Sequence, residues 1–376
     1  MIARMLPFLL IAVPGATAAQ TGAFVVRLGS DTLLVEQYTR SATQLRGEQV
    51  TRSPRSTHRI YTVSYRADGT VERFELVTHN IGGGPGPMET RSTVEFGAAA
   101  AVSRTPRGDS TRTTHAPLTA PTRPWSINIY GLMEDIVRQA RAAGGERVAV
   151  PILATGAEAA ETAWVWRSGA DSVGGDFAGI GPFRIRTDAQ GTILGASGIG
   201  GSLQVTVERV PSLDLAALAP AFANRPLGVL SPADSVIATV GGAAIAVRYA
   251  RPSMRGRVIF GVMVPWGRVW RTGANSATLF ETSVDLRVGS TTVPAGKYTL
   301  YSIPNQSGWT LIINKNTGQW GTEYDAQHDL ARVPMEVMPV GQPVEQFTIA
   351  IDPEAGGGVL SLTWERTRAA VRFTVP

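Results

Sequence analysis

His58-Arg-Ile-Tyr-Thr-Val-Ser-Tyr-Arg66, Ala67-Asp-Gly-Thr70 and Val71-Glu-Arg-Phe-Glu-Leu-Val-Thr-His-Asn80 follow one another without a break. From Ile60 to Tyr65 apolar and polar side chains alternate, imperfectly, as they do on a half-buried sheet. Asp68-Gly69 supplies a backbone suited to a tight turn, so the two runs are predicted to pair as an antiparallel hairpin. The same pattern extends in both directions. Phe24–Leu28 and Thr32–Thr39 flank Gly29-Ser30-Asp31, and Asp188-Ala-Gln-Gly191 marks a further turn. Residues 148–153, 161–167, 183–187, 192–197 and 203–209 also read as strands. One segment departs from the pattern. Over Ser126–Ala143, Ile129, Leu132, Met133, Ile136 and Val137 fall on one helical face, and Gly144-Gly145 ends the run.

The first half is therefore expected to be a curved antiparallel sheet or half-barrel with one inserted helix, over residues 19–210. In its order of elements it is similar to the half-barrels of periplasmic lipoprotein carriers, which implies a lipid or protein partner for this half. Residues 211–230 gain Pro and Ala, lose alternation and contain a short helical stretch at Leu213–Ala219, so they read as a linker. Beyond them, residues 243–250, 278–288, 296–303, 309–314, 346–352, 357–364 and 369–375 alternate again between turn signals. That spacing predicts an antiparallel β-sandwich over residues 231–376. Overall the fold class is mainly β, in two domains.

Composition narrows the function classes. The chain has 376 residues and no cysteine, which excludes disulfides, thiolate nucleophiles and Cys-ligated metals. The four histidines (His58, His79, His115, His328) form no HxH or HxxxH pair, so neither a metal nor a cofactor is expected. Residues 1–18 read as a signal peptide. Arg4 precedes the apolar run Leu6–Val13, and Ala16-Thr-Ala18 offers a cleavage site near Ala18. No apolar run reaches the ~20 residues of a membrane span. The expected location is the periplasm or the outside of the cell. The net charge is +5, and all but two of the 35 basic residues are arginine. No helix carries a basic stripe, so nucleic acid is not an expected partner.

Four tracts of the second half occur in order. They are Arg248-Tyr-Ala-Arg-Pro-Ser-Met-Arg-Gly-Arg257, Val264-Pro-Trp-Gly-Arg-Val-Trp-Arg-Thr-Gly-Ala-Asn275, Pro294-Ala-Gly-Lys-Tyr298 and Asn314-Lys-Asn-Thr-Gly-Gln-Trp-Gly321. Together they resemble a bacterial family catalogued as domain of unknown function 2911, over about residues 231–376. The resemblance implies an exported β-rich domain without an established activity.

The residues themselves suggest more. Five arginines (Arg251, Arg255, Arg257, Arg268, Arg271) share a short tract with Phe260, Trp266 and Trp270, and Trp320 lies in another turn. A guanidinium grips carboxylate or phosphate with two parallel hydrogen bonds, and indole faces stack on guanidinium or sugar. Arg251, Arg255, Trp266, Trp270, Arg271 and Asn275 are accordingly the candidate contacts for an anionic or carbohydrate ligand. The same residues admit a structural use, with Arg271 pairing to Glu281 and Trp270 filling the core. No catalytic motif of a serine hydrolase, zinc peptidase or nucleotide-binding loop is present. A non-catalytic binding module is the leading expectation. The alternatives are a hydrolase of envelope glycans or esters using Asp325, His328 or Glu281, and a protein-interaction scaffold pairing through the edge of Tyr298–Ile303.

Overall fold

The computed structural model describes residues 19–83, 86–200 and 203–376. The signal-peptide reading of residues 1–18, with its cleavage site, lies outside these residues. The first half contains β1 (Gln20–Leu28), β2 (Asp31–Arg40), β3 (Gln44–Thr51), β4 (Thr57–Tyr65), β5 (Val71–Asn80), β6 (Glu89–Phe96), β7 (Ala100–Arg107), β8 (Ser110–Pro117), β9 (Arg123–Trp125), α1 (Tyr130–Ala143), β10 (Arg147–Ala154), β11 (Glu161–Arg167), β12 (Ser172–Phe177), β13 (Gly181–Thr187), β14 (Ile193–Gly198) and β15 (Thr206–Val210). They form one open sheet in the order β8-β7-β6-β5-β4-β3-β2-β1-β15-β14-β13-β12-β11-β10-β9.

The predicted hairpin is β4–β5. Val63 lies opposite Phe74, and both are fully buried, while Thr62 and Glu75 occupy the other face. Every neighbouring pair is antiparallel except β9–β10. The exception follows from connectivity, because α1 carries the chain across between them and a crossover returns a strand in the same direction. β9 also touches β5, eleven places away in the sheet order, so the sheet curls around α1. Ile129, Leu132, Met133, Ile136 and Val137, the face read from the sequence, sit in a core with Phe24, Phe74, Trp125 and Phe183.

α1 has no side-chain cap of its own, since Ile129 stands at the capping position. Glu36 of β2 does this work from across the core. Its carboxylate accepts from the N–H groups of Tyr130 (2.8 Å) and Gly131 (2.7 Å), from the Tyr61 hydroxyl (2.7 Å) and from Gln49 Nε2 (3.0 Å). The Tyr130 and Gly131 N–H groups are donors that a helix start leaves orphaned, and a carboxylate meets them at the end that the helix dipole makes favourable for it. Glu134 and Asp135, adjacent on α1, diverge as expected of consecutive helical residues. Glu134 pairs with Arg138 and Arg209, Asp135 with Arg40 and Arg123. On the outer face, α2 (Leu215–Ala223) covers Val35 and Val50 with Leu215 and Phe222. The helix in the linker thus begins and ends a few residues later than the sequence suggests.

The second half contains β16 (Ala233–Val240), β17 (Ala243–Ala250), β18 (Thr278–Thr282), β19 (Leu286–Val288), β20 (Thr291–Val293), β21 (Gly296–Ile303), β22 (Trp309–Asn314), a short 3-10 turn (Ala326–His328), β23 (Asp329–Glu354) and β24 (Gly357–Thr374). Their order is β16-β17-β18-β21-β22-β23-β24-β19-β20. The register of β23–β24 slips between Pro339 and Thr348, which bends this long hairpin and brings β23 against β16. The sheet therefore folds over a second core built on Trp309, Phe347, Trp364 and Phe280. Tyr298–Ile303, read as an edge available to a partner protein, is interior. β21 pairs with β18 on one side and β22 on the other, because the tract that precedes it forms the separate hairpin β19–β20. No helix among the described residues is long and apolar enough to cross a membrane.

Candidate functional site

The tract Arg251–Asn275 runs between β17 and β18 without regular structure, and its backbone is fixed by the sheet beneath it. Trp270 exchanges two main-chain hydrogen bonds with Ser302 of β21 (2.7 and 2.9 Å), and the Thr272 hydroxyl donates to Ser302 Oγ (2.9 Å). Thr272 and Asn275 hold positive φ, so the chain turns sharply on either side of Gly273. On the other side of the site, Asn314–Gly321 wraps over β21. Asn316 O accepts from Thr299 Oγ1 (2.7 Å), and the Gly321 N–H donates to Asn275 O (3.0 Å). The two tracts of the resemblance thus close on each other, and the space between them is a pocket of about 380 Å3.

Its floor is aromatic. The Trp270 ring stacks on Trp364 (5.8 Å, 17°) and meets Phe347 edge-on (4.9 Å). Tyr301, Tyr324, Met263 and Val264 complete the walls, with Arg268 and Arg271 among the lining residues. The Tyr324 hydroxyl donates to Asp329 Oδ2 (2.6 Å) and accepts from Arg332 Nη2 (2.7 Å). Burial and the hydrogen bond to Asp329 push this phenol up to about 12, so it stays neutral at physiological pH.

The six candidate residues separate into three groups. Arg251 is held by Asp234 (3.2 Å), Phe347 O (3.1 Å) and Thr348 Oγ1 (2.8 Å), and Arg255 by Asp31 of the first half (2.5 Å). Both guanidinium groups are committed to internal partners. Trp266 is 36% exposed and stacks on Phe260 (6.0 Å), outside the pocket lining. Trp270 and Arg271 line the pocket, and Asn275 and Arg271 line a second cleft behind it. Arg271 does not pair with Glu281, which is taken by Arg248 (3.3 Å) and Lys297 (3.6 Å). Its guanidinium instead lies 5.9 Å over the Trp320 ring and donates to Asn275 O (3.3 Å). Burial lowers its pKa from the usual arginine value, and among the described residues no carboxylate stands by to offset this.

The residues named for a hydrolase, Asp325, His328 and Glu281, do not line the pocket. His328 pairs with Asp325 (3.0 Å) at an exposed turn, and neither lines the pocket. Among the described residues no group of three His, Asp or Glu is arranged to hold a metal ion. Tyr301 and Trp364 went unread as site residues, because each belongs to an alternating strand and looks like ordinary core in sequence.

Fold and pocket together define a mainly β protein of two sheets, whose C-terminal sheet carries an aromatic pocket with arginine at its wall. Residues 231–373 match the model of a family described as a protein of unknown function, DUF2911, and the N-terminal half matches no family. No curated protein matches the chain. Among solved structures it is similar to a DUF1089 family protein from Pseudomonas aeruginosa at 14% identity, covering 44% of this chain and 90% of that one, with a TM-score of 0.31. It is also similar to a beta-barrel-like protein of domain of unknown function DUF1849 from Brucella abortus. There the identity is 12%, the coverage 51% and 94%, and the TM-score 0.34.

Proposed function

We propose that this is an exported, non-catalytic binding protein whose C-terminal pocket takes an anionic small ligand at Arg271. The observation that supports the reading is a half-buried guanidinium with no carboxylate partner among the described residues, set in the wall of an aromatic pocket. Desolvating an arginine costs free energy, and natural folds offset that cost with a paired anion. A carboxylate or phosphate from solution would complete the pair here, while Trp270 and Trp364 cover its apolar part. Periplasmic or extracellular location rests on the signal-peptide reading of residues 1–18. The carbohydrate option of the sequence reading is supported less well, because Trp266, the exposed indole, lies outside the pocket.

The test is a thermal-shift screen of the mature chain with phosphate, nucleotides, organic acids, phospholipids, peptidoglycan fragments, sugars and divalent metals. A ligand at 100 times its Kd adds about 2.7 kcal/mol, which moves the midpoint of a protein this size by a few degrees. The expected result is a shift with one or more organic anions that Arg271→Ala abolishes while the variant still melts cooperatively. Equal shifts in wild type and Arg271→Ala, or none with any anion, would refute the reading.

A further inference from the structure

The C-terminal half sits across one rim of the N-terminal sheet. That rim is formed by the turn after β1, the start of β15, the end of β14, the turn between β12 and β13, and the start of β11, as their registers require. The halves touch firmly at one part of it. Ser30 N donates to Arg255 O (2.8 Å), and Arg255 Nη1 donates to Asp31 (2.5 Å). Farther along the rim they stand apart and leave a cleft of about 770 Å3. The cleft shares Arg271 and Thr322 with the aromatic pocket, so the two spaces meet at that guanidinium.

The chemistry of the cleft is asymmetric. Phe177, Ile180, Ile199 and Leu203 line it from the first half, and Trp320 from the second. Ile199 and Trp320 are 45% and 49% exposed, a high value for large apolar side chains that line one cleft. Arg271 is the only cation among the described lining residues, whereas Glu161 and Asp176 both belong to the opposite wall. A ligand with several negative groups would meet those carboxylates. A ligand with one negative head has a single place for it.

Resting on the anion-binding reading above, we infer that the ligand is a single-chain anionic amphiphile. Its carboxylate or phosphate head pairs with Arg271, and its apolar chain lies in the cleft between the halves, against Ile199, Ile180 and Trp320. Burial of the chain covers apolar surface that the fold leaves wet, and the head supplies the anionic partner that Arg271 lacks among the described residues.

The experiment is calorimetric titration of the full mature chain with acetate, hexanoate, decanoate, decyl phosphate and uncharged decyl maltoside. It is repeated on Arg271→Ala, on Ile199→Asp and on Ile237→Asp, a control at an exposed position of β16. Each methylene that becomes buried should tighten binding by up to roughly fourfold, so decanoate should bind at least about tenfold tighter than hexanoate. Ile199→Asp should weaken decanoate at least about tenfold and leave acetate unchanged, since only the chain meets the new carboxylate. Arg271→Ala should remove binding of both heads, and a preference between decanoate and decyl phosphate identifies which head the site takes. If affinity is independent of chain length, or decanoate ignores Ile199→Asp, the amphiphile inference falls while Arg271-dependent binding of small anions keeps the pocket reading. Equal binding of decyl maltoside also overturns it. If no anion binds in an Arg271-dependent way, both readings fall together.

Discussion

Glu36 is fully buried, yet its carboxylate is the junction between β2, β3, β4 and the start of α1. All four of its partners are donors, so a carboxylate fits and an amide does not. Glu36→Ala would strand two helix N–H groups, a phenol and an amide in the core, and we expect a loss of about 3–5 kcal/mol in urea unfolding. Glu36→Gln retains the shape but turns an NH2 toward those donors, so it should still cost about 1–3 kcal/mol. Glu75, on the outer face with Arg73 and Arg91, is the control, and its alanine variant should lie within about 0.5 kcal/mol of wild type. The contrast between Arg255 and Arg271 belongs to the same scale. Two arginines of one tract, alike in sequence, differ because Asp31 reaches one of them and, among the described residues, no carboxylate reaches the other.

The turn between β1 and β2 shows how an element acquires a second task. Gly29 has a φ of 61°, and a Cβ there would lie 1.9 Å from Arg255 O. The glycine is therefore needed for the turn and also for the close approach of the second half. Gly29→Ala should cost about 1–3 kcal/mol. It should also split a shared calorimetric transition into two, because the tie between the halves is broken. Arg255→Ala should weaken the same tie without straining the turn, since it removes the ion pair to Asp31 and keeps the main-chain bond from Ser30, and one unchanged transition in both variants would show that the tie contributes nothing to cooperativity. At this scale the hairpins β1–β2 and β4–β5 follow from alternation and turn residues. Strands β6, β7 and β8 do not, since Ser, Thr and Arg occupy both their faces and leave little apolar alternation to read.

The whole molecule has two main cores, each built from residues of one half, with the small cluster under α2 on the outside of the first. All residues lining the aromatic pocket come from the second half, whereas the cleft needs both. Residues 231–376 expressed alone should therefore melt cooperatively and retain Arg271-dependent binding of short anions. They should lose the dependence of affinity on chain length, as read by titrating hexanoate and decanoate against the isolated half and the full chain. A fragment that discriminates chain length as the full chain does would place the chain-binding surface within the second half.

Local pattern determined most of the architecture: the mainly β character and the amphipathic helix of the first half, Tyr130–Ala143. These depend on the period of apolar residues and on turn chemistry, which each short segment carries within itself. The parallel pairing of β9 with β10, the interior position of β21 and the curl of the first sheet around α1 depend on contacts between segments far apart in the chain. The site divides the same way. Arginine and tryptophan are visible in the tract Arg251–Asn275, but their roles depend on which carboxylates the fold brings near. Asp31, Asp234 and Glu281 lie far from the guanidinium groups in sequence, and only the folded chain decides that the first two reach Arg255 and Arg251 while the third goes to Arg248 and Lys297. Arg271 is thereby left to the pocket, because ion pairing acts over a few ångströms of space and takes no account of distance along the chain.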